Sequence, residues 1–163
     1  MSRNLESRSS ESQSSVLIDG RVAEDHWRNY CPIDHENLND RKDGIIFPFE
    51  YWLENRSECL AYNGPKGVAC KNTDDISQLK PYINELNLIC IEFPIATDGR
   101  AYSQAHLLRQ RHGYTNELRA VGEIEIDQLF LMTRCGINAF VFNEDIDLTQ
   151  ASKYLTPFSV SYQ

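Results

Sequence analysis

The sequence predicts an α/β fold with a mostly parallel sheet, and the pattern is clearest between residues 67 and 142. Four short apolar runs, GVAC, NLICIEF, LRAVGEI and INAFVF, are typical of strands, and amphipathic stretches typical of helices separate them. Each connection is far longer than a hairpin, which indicates parallel strands joined by right-handed crossovers. The order βαβαβαβ resembles half of a (β/α) barrel or a small open sheet, and periodicity does not decide between these two.

Other elements precede and follow this core. VLIDGRVAEDHW has apolar runs on both sides of Asp19-Gly20, a dipeptide that favours a two-residue hairpin turn. A polar loop follows, and then a short helix with Phe49, Trp52 and Leu53 on one face. We therefore expect a disordered Ser-rich tail (1–15) and one α/β domain (16–163), made of hairpin, loop and helix (16–66), βα repeats (67–142), and a C-terminal helix and tail (143–163).

The helices of the repeats differ in how regular they should be. In DDISQLKPYINEL, Pro81 removes a backbone hydrogen bond, so this helix is expected to start late or to kink. In AYSQAHLLRQRHG, Ala101, Ala105 and Leu108 should face inward. IDQLFLMTRCG is the third helix, and a last helix around LTQASKYL should end at Pro157.

Composition and charge exclude several classes of function. The chain has 163 residues, of which 41% are hydrophobic and 25% charged, as expected of one soluble domain. Its net charge of -8 repels a phosphate backbone, which argues against general binding of nucleic acids or anionic membranes. No apolar run approaches the roughly 20 residues of a membrane helix, so we expect a cytoplasmic protein. The five cysteines form no C-x-x-C pair and should be reduced thiols.

Carboxylates follow two neighbouring strands of the predicted sheet. Glu92 closes the second strand and Glu123 follows the third. The carboxyl ends of parallel strands are where ligands gather, and two carboxylates there could hold a hard divalent cation such as magnesium. The alternative is that strand ends meet solvent and are charged for that reason alone. The sequence leaves both interpretations open and shows no other evident cofactor site.

The turn Thr97-Asp-Gly-Arg-Ala-Tyr-Ser103, between the second strand and the second helix, offers another candidate site. Arg100 near a helix N-terminus is suited to binding a sulfate, phosphate or carboxylate. Asp98, however, is expected to cap the helix, where its charge repels an anion. An anion site would then need either Asp98 turned away from the helix end, or Arg100 used together with another cation such as Arg119 or Arg134.

Motifs of several enzyme classes are missing, and longer strings resemble a known family. The sequence has no P-loop and no G-x-G-x-x-G, which argues against nucleotide hydrolysis and dinucleotide-dependent oxidoreduction. From about Leu17 to Gln163 it resembles a bacterial family of small proteins named only as a domain of unknown function. The shared patterns are D-G-R-[AG]-[YF]-S at Asp98–Ser103, L-R-A-x-G-[DE] at Leu118–Glu123, D-Q-L-F at Asp127–Phe130 and R-C-G at Arg134–Gly136.

The resemblance implies a biological context rather than a reaction. Members are typically encoded beside the sulfite reductase haemoprotein in cysteine-biosynthesis clusters and are sometimes labelled oxidoreductases. The chain is therefore expected to be either an accessory protein that binds the haemoprotein or its electron donor, or a small enzyme of sulfur metabolism acting at the strand ends. A homodimer could cover an exposed sheet edge. The candidate site residues are Glu92, Asp98, Arg100, Glu123, Asp127 and Arg134, with Glu92 and Glu123 as candidate metal ligands.

Overall fold

The computed structural model describes residues 14–31, 38, 42–143 and 146–161, the last six by their backbone alone. The strands are β1 (Ser15–Ile18), β2 (Arg21–Glu24), β3 (Trp27–Asn29), β4 (Gly44–Pro48), β5 (Lys66–Cys70), β6 (Leu88–Phe93), β7 (Glu117–Gly122) and β8 (Ala139–Phe140). The α-helices are α1 (Phe49–Glu54), α2 (Arg56–Ala61), α3 (Gly99–Gln110), α4 (Leu129–Arg134) and α5 (Leu148–Ser161), and 3₁₀ helices span Ile76–Glu85 and Ile126–Gln128.

All eight strands belong to one curled, open sheet with the order β2-β1-β8-β7-β6-β5-β4-β3. The strands from β3 to β8 are parallel, whereas β1 pairs antiparallel with both β8 and β2. The predicted α/β class is confirmed, with a half-barrel sheet, an N-terminal hairpin and a C-terminal helix. None of the helices in the described ranges has the length and apolar character needed to cross a bilayer.

Two parallel strands precede the predicted repeats and extend the sheet from four parallel strands to six. The first, β3, has only three residues, too few to show a period. In the second, β4, the sequence GIIFP runs directly into the apolar stripe of α1, so the hydrophobic pattern does not separate the strand from the helix. The predicted tail lies outside the described residues except for Ser14 and Ser15, and most of the predicted polar loop (32–37 and 39–41) lies outside them too.

The two helices that contain proline depart from the α-helix in different ways. The segment around Pro81 is a 3₁₀ helix along its whole length, with Ile76 and Leu79 buried. Proline has no N–H to donate in either type of helix, so this 3₁₀ helix also lacks one backbone hydrogen bond at Pro81. The prediction that Pro157 ends the last helix is wrong, because α5 continues to Ser161. Proline costs that helix one backbone hydrogen bond, but its φ is compatible with helical geometry.

The sheet has an outer face covered by helices and an inner, concave face. Side chains alternate between the faces, and the register places residues of neighbouring strands side by side. Ile89, Ile91 and Phe93 of β6 join the main core beneath the helices. Ile46, Leu88 and Cys90 form a smaller buried cluster on the inner face, with Trp27, Ala69 and Val121 packed against it.

One nearly continuous segment of the chain forms both edges of the sheet. The strands β2 and β3 lie at opposite ends of the strand order, yet only Asp25 and His26 separate them in sequence. The first half of this segment pairs with β1 and the second half with β4. Three Cα–Cα steps span at most about 11 Å, so the sheet must curl enough to bring the end of β2 within that distance of the start of β3.

A buried ion cluster links this segment to strand β7, inside the sheet. Arg119 of β7 is only 3% exposed. Its Nη1 lies 3.0 Å from Asp25 Oδ2, its Nη2 lies 2.8 Å from Glu117 Oε2, and its Nε donates to the same Glu117 oxygen at 2.9 Å. Two residues after Asp25, the Trp27 side chain packs against Gly44 of β4. The contact is so close that a Cβ at Gly44 would lie 2.7 Å from the indole ring. Charge pairing and close packing therefore both stabilise the curl.

We predict that Arg119→Ala destabilises the fold by about 3–5 kcal/mol, because it leaves two largely buried carboxylates without a counterion. The matched control is Arg100→Ala, which removes an exposed guanidinium and should change stability by no more than about 0.5 kcal/mol. Urea denaturation followed by circular dichroism measures both values. If Arg119→Ala were as mild as the control, the ion cluster would have no part in holding the sheet curled.

Candidate functional site

A cavity of about 270 Å³ opens on the inner face of the sheet, at the carboxyl ends of the parallel strands. Its floor is apolar and consists of Ile46, Ala69 and Val121, which belong to three different strands. The rim contains Glu50, Lys71, Asp74 and Glu92. The cavity therefore combines an apolar interior with charged groups at its mouth, an arrangement common in ligand sites of α/β proteins.

Glu92 is the predicted site residue that lines this cavity. The register places it beside Val121, with the buried Cys90 two residues earlier on the same face of β6. Within the described part of the chain, the Glu92 carboxylate has no hydrogen-bond or ion-pair partner. It can therefore accept a donor from a bound molecule without breaking a bond inside the protein.

The other rim groups were not predicted. Glu50 follows β4, and it was missed because that strand was not recognised. Lys71 and Asp74 follow β5, a strand that the sequence did predict, so their positions after a strand end were an available signal. The Lys71 backbone N–H donates to Asp74 Oδ2 at 2.7 Å, which fixes a turn at the rim of the cavity.

Glu123 lies apart from the cavity lining. The preceding Gly122 has φ +97°, and a Cβ there would lie 2.5 Å from the Phe93 carbonyl oxygen, so a side chain is excluded. Asn143 Nδ2 donates to Glu123 Oε2 at 3.0 Å and holds the carboxylate near the end of β8. Glu92 and Glu123 thus do not line one cavity. Among the described residues, no three His, Cys, Asp or Glu side chains are grouped closely enough to hold a metal ion.

Asp98 caps helix α3, as the sequence predicts. Its Oδ1 accepts the Ala101 backbone N–H at 2.9 Å, and its Oδ2 accepts Asn72 Nδ2 at 3.0 Å. Arg100 is exposed and lines a shallow hollow together with Asp74, Asp75 and Asp98. These carboxylates repel an anion, so the surroundings of Arg100 favour a cation over a sulfate or phosphate.

The remaining candidates lie away from the cavity, on or beside helix α4. Asp127 is exposed in the 3₁₀ turn that precedes α4. Arg134 is exposed in the last turn of α4, with its guanidinium 5.5 Å from the Phe130 ring centroid. Arg119, the other cation considered for an anion site, is already paired with two carboxylates. The structure therefore does not group the candidate cations Arg100, Arg119 and Arg134 around one anion.

The buried thiols are held in their protonated form. Burial raises the pKa of Cys90, beneath the cavity floor, to about 12, and it raises the pKa of Cys59 to about 12 as well. Burial also raises the pKa of Cys70. In the half-buried Cys135, desolvation raises the pKa and outweighs the opposing effect of Arg134. Because the thiolate is the nucleophilic form, these four positions are poorly suited to nucleophilic catalysis at neutral pH.

Comparison with known proteins places most of the chain in one family. The family model described as a bacterial protein of unknown function (DUF934) matches residues 67–163, which is more than half of the chain. The matched part runs from β5 to the end of α5 and includes Lys71, Asp74 and Glu92 of the cavity rim. No curated protein matches the chain.

Asp98→Ala should destabilise the protein by about 1 kcal/mol, because it removes the cap of α3 and its bond to Asn72. Asp98→Asn should cost much less, because asparagine is an equally good N-cap residue. Asp127→Ala serves as the control, since it removes an exposed carboxylate nearby. Thermal or urea unfolding compares the three variants, and an Asp98→Ala protein as stable as Asp127→Ala would argue against the capping role.

Proposed function

The chain belongs to the bacterial DUF934 family, and from that premise we propose that it is a cytoplasmic accessory protein of assimilatory sulfite reduction. Its partner is the sulfite reductase haemoprotein or the electron donor of that enzyme. The identity of the partner rests on the sequence resemblance described above. The binding surface is the edge formed by the carboxyl ends of the parallel strands, and it is defined below by its charged residues.

The observation that supports this proposal most strongly is the charge of that edge. Seven carboxylates and two cations lie at or shortly after the ends of β4, β5, β6 and β7, and Asp127 and Asp147 are further described carboxylates outside this set. The carboxylates are Glu50, Asp74, Asp75, Glu92, Asp98, Glu123 and Glu125, and the cations are Lys71 and Arg100. We call this set the acidic edge. It would steer a basic protein surface toward the cavity mouth, since complementary charge raises association rates and fixes orientation.

A second candidate function is a small enzyme of sulfur metabolism acting at the same edge. The cavity favours it, because enzymes with parallel α/β sheets hold their substrates at the carboxyl ends of the strands. Glu92 is the residue best placed for proton transfer or ligand binding there. The excess of carboxylates favours a cationic group or a divalent metal over an anion.

For the accessory role, we predict that Glu125→Lys lowers affinity for the partner by about threefold to tenfold at low salt, mainly through slower association. The matched control is Glu85→Lys, the same charge change at an exposed position just before β6. It lies at the amino ends of the strands, away from the acidic edge. Surface plasmon resonance with the haemoprotein and with its electron donor as separate analytes measures both rates. Equal effects of the two variants, or no binding of either analyte, would contradict the proposed binding edge.

Glu92→Gln separates the two candidate functions within the same experiment. An accessory protein with this variant should still bind its partner, with no more than the few-fold loss of affinity expected for one carboxylate of the acidic edge, and it should support growth on sulfite as sulfur source. An enzyme with this variant should remain folded and bind the partner, yet fail to support growth.

A further inference from the structure

The cavity changes in polarity along its depth. Beneath its floor, Leu88 and Cys90 are buried in the inner-face cluster. On one side Cys90 pairs with Ala69 of the floor, and on the other with Arg119, whose guanidinium is already bonded to Asp25 and Glu117. Glu92, two residues beyond Cys90, lies at the mouth beside Val121. The alternation of β6 produces this gradient, since residues two apart share the inner face. A fitting ligand therefore has an apolar end that points inward and a polar end at the opening.

The size of the cavity limits the apolar end to about one ring. An apolar cavity of about 150 Å³ accommodates benzene in other proteins. The volume here is about 270 Å³, enough for a ring and a short substituent. The side chains of Pro48 and Phe49 add further apolar wall beside the floor.

The charge at the mouth determines the polar end. Three carboxylates, Glu50, Asp74 and Glu92, line the cavity together with one cation, Lys71. Asp74 already accepts the backbone N–H of Lys71, whereas the Glu92 carboxylate has no partner among the described residues. A positive group seated above Val121 would thus meet a carboxylate beside an apolar surface, where Coulomb attraction is stronger than in bulk water.

We propose that this cavity binds a small organic ammonium ion, with its apolar ring or chain on the floor and its charged nitrogen at Glu92. Such binding goes beyond the accessory role, and it does not depend on the haemoprotein or its donor. The two proposals can therefore fail separately.

Three ligands of nearly equal size test the charge requirement: benzylammonium, benzyl alcohol and benzoate. Each is titrated into the ¹⁵N-labelled full chain at low salt while amide chemical shifts are recorded. Benzylammonium should bind saturably with a Kd on the order of 1 mM, as expected of a ligand with so few atoms. Its shifts should centre on Ala69, Glu92 and Val121. Benzyl alcohol should bind more weakly, and benzoate most weakly.

Two variants and a control test the position of the ligand. Glu92→Gln should weaken benzylammonium by roughly fivefold or more and leave benzyl alcohol nearly unchanged, because it removes only the charge. Glu125→Gln removes a carboxylate of the acidic edge that does not line the cavity, and it should change benzylammonium binding by less than about twofold. Val121→Phe should fill the floor and weaken both benzylammonium and benzyl alcohol.

Several outcomes would overturn the proposal. One is equal affinity for the three ligands, and another is an equal effect of Glu92→Gln and Glu125→Gln on benzylammonium binding. The others are chemical-shift changes that centre outside the cavity, and binding that does not saturate at benzylammonium concentrations of about 10 mM. Glu92→Gln changes an exposed side chain on a strand and should keep the native spectrum. It therefore decides the matter even if Val121→Phe fails to fold.

Discussion

The ion pair between Arg119 and Asp25 is the constraint on which the shape of this molecule depends. It joins β7 to the segment that forms both edges of the sheet, across 94 residues of sequence, at 3.0 Å. A buried guanidinium requires carboxylate partners, and Asp25 can provide one only if the sheet curls. Glu117, two residues before Arg119 on β7, satisfies the rest of the guanidinium. Curling in turn gives the sheet a concave inner face.

The carboxyl end of that inner face is where the candidate functional features meet. Residues of five strands and the loops after them surround the cavity, and the same loops bear the acidic edge. The apolar floor and the carboxylate of Glu92 both follow from the alternation of β6 and its neighbours. The protein partner and the small cation would therefore meet the same end of the molecule, and Glu92 belongs to both proposed sites. The segments after the strands provide most of the charges that a partner meets, and the strands provide the floor that a ligand meets.

Local signals in the sequence predict much of this structure. The runs that form β5 to β8 are apolar and well separated, and the Asp98 cap bonds to an amide only three residues away. The strand β4 was missed because its apolar residues continue into helix α1, and Glu50 was missed with it. Both Glu92 and Glu123 were expected at strand ends, but the positive φ of Gly122 separates them, and a residue pattern does not specify that angle. The pairing of Arg119 with Asp25 depends on the curl of the whole sheet, so no local sequence pattern predicts it.

Hydrogen-exchange mass spectrometry tests the central claim, that the acidic edge is the binding surface, most directly. The chain would be compared alone and with the haemoprotein or its electron donor. We predict slower exchange in the loops at 71–75, 94–98 and 123–125 when the partner is present, and unchanged exchange at 84–87, on the opposite edge. Protection confined to the outer helices, with these three loops unchanged, would contradict the claim.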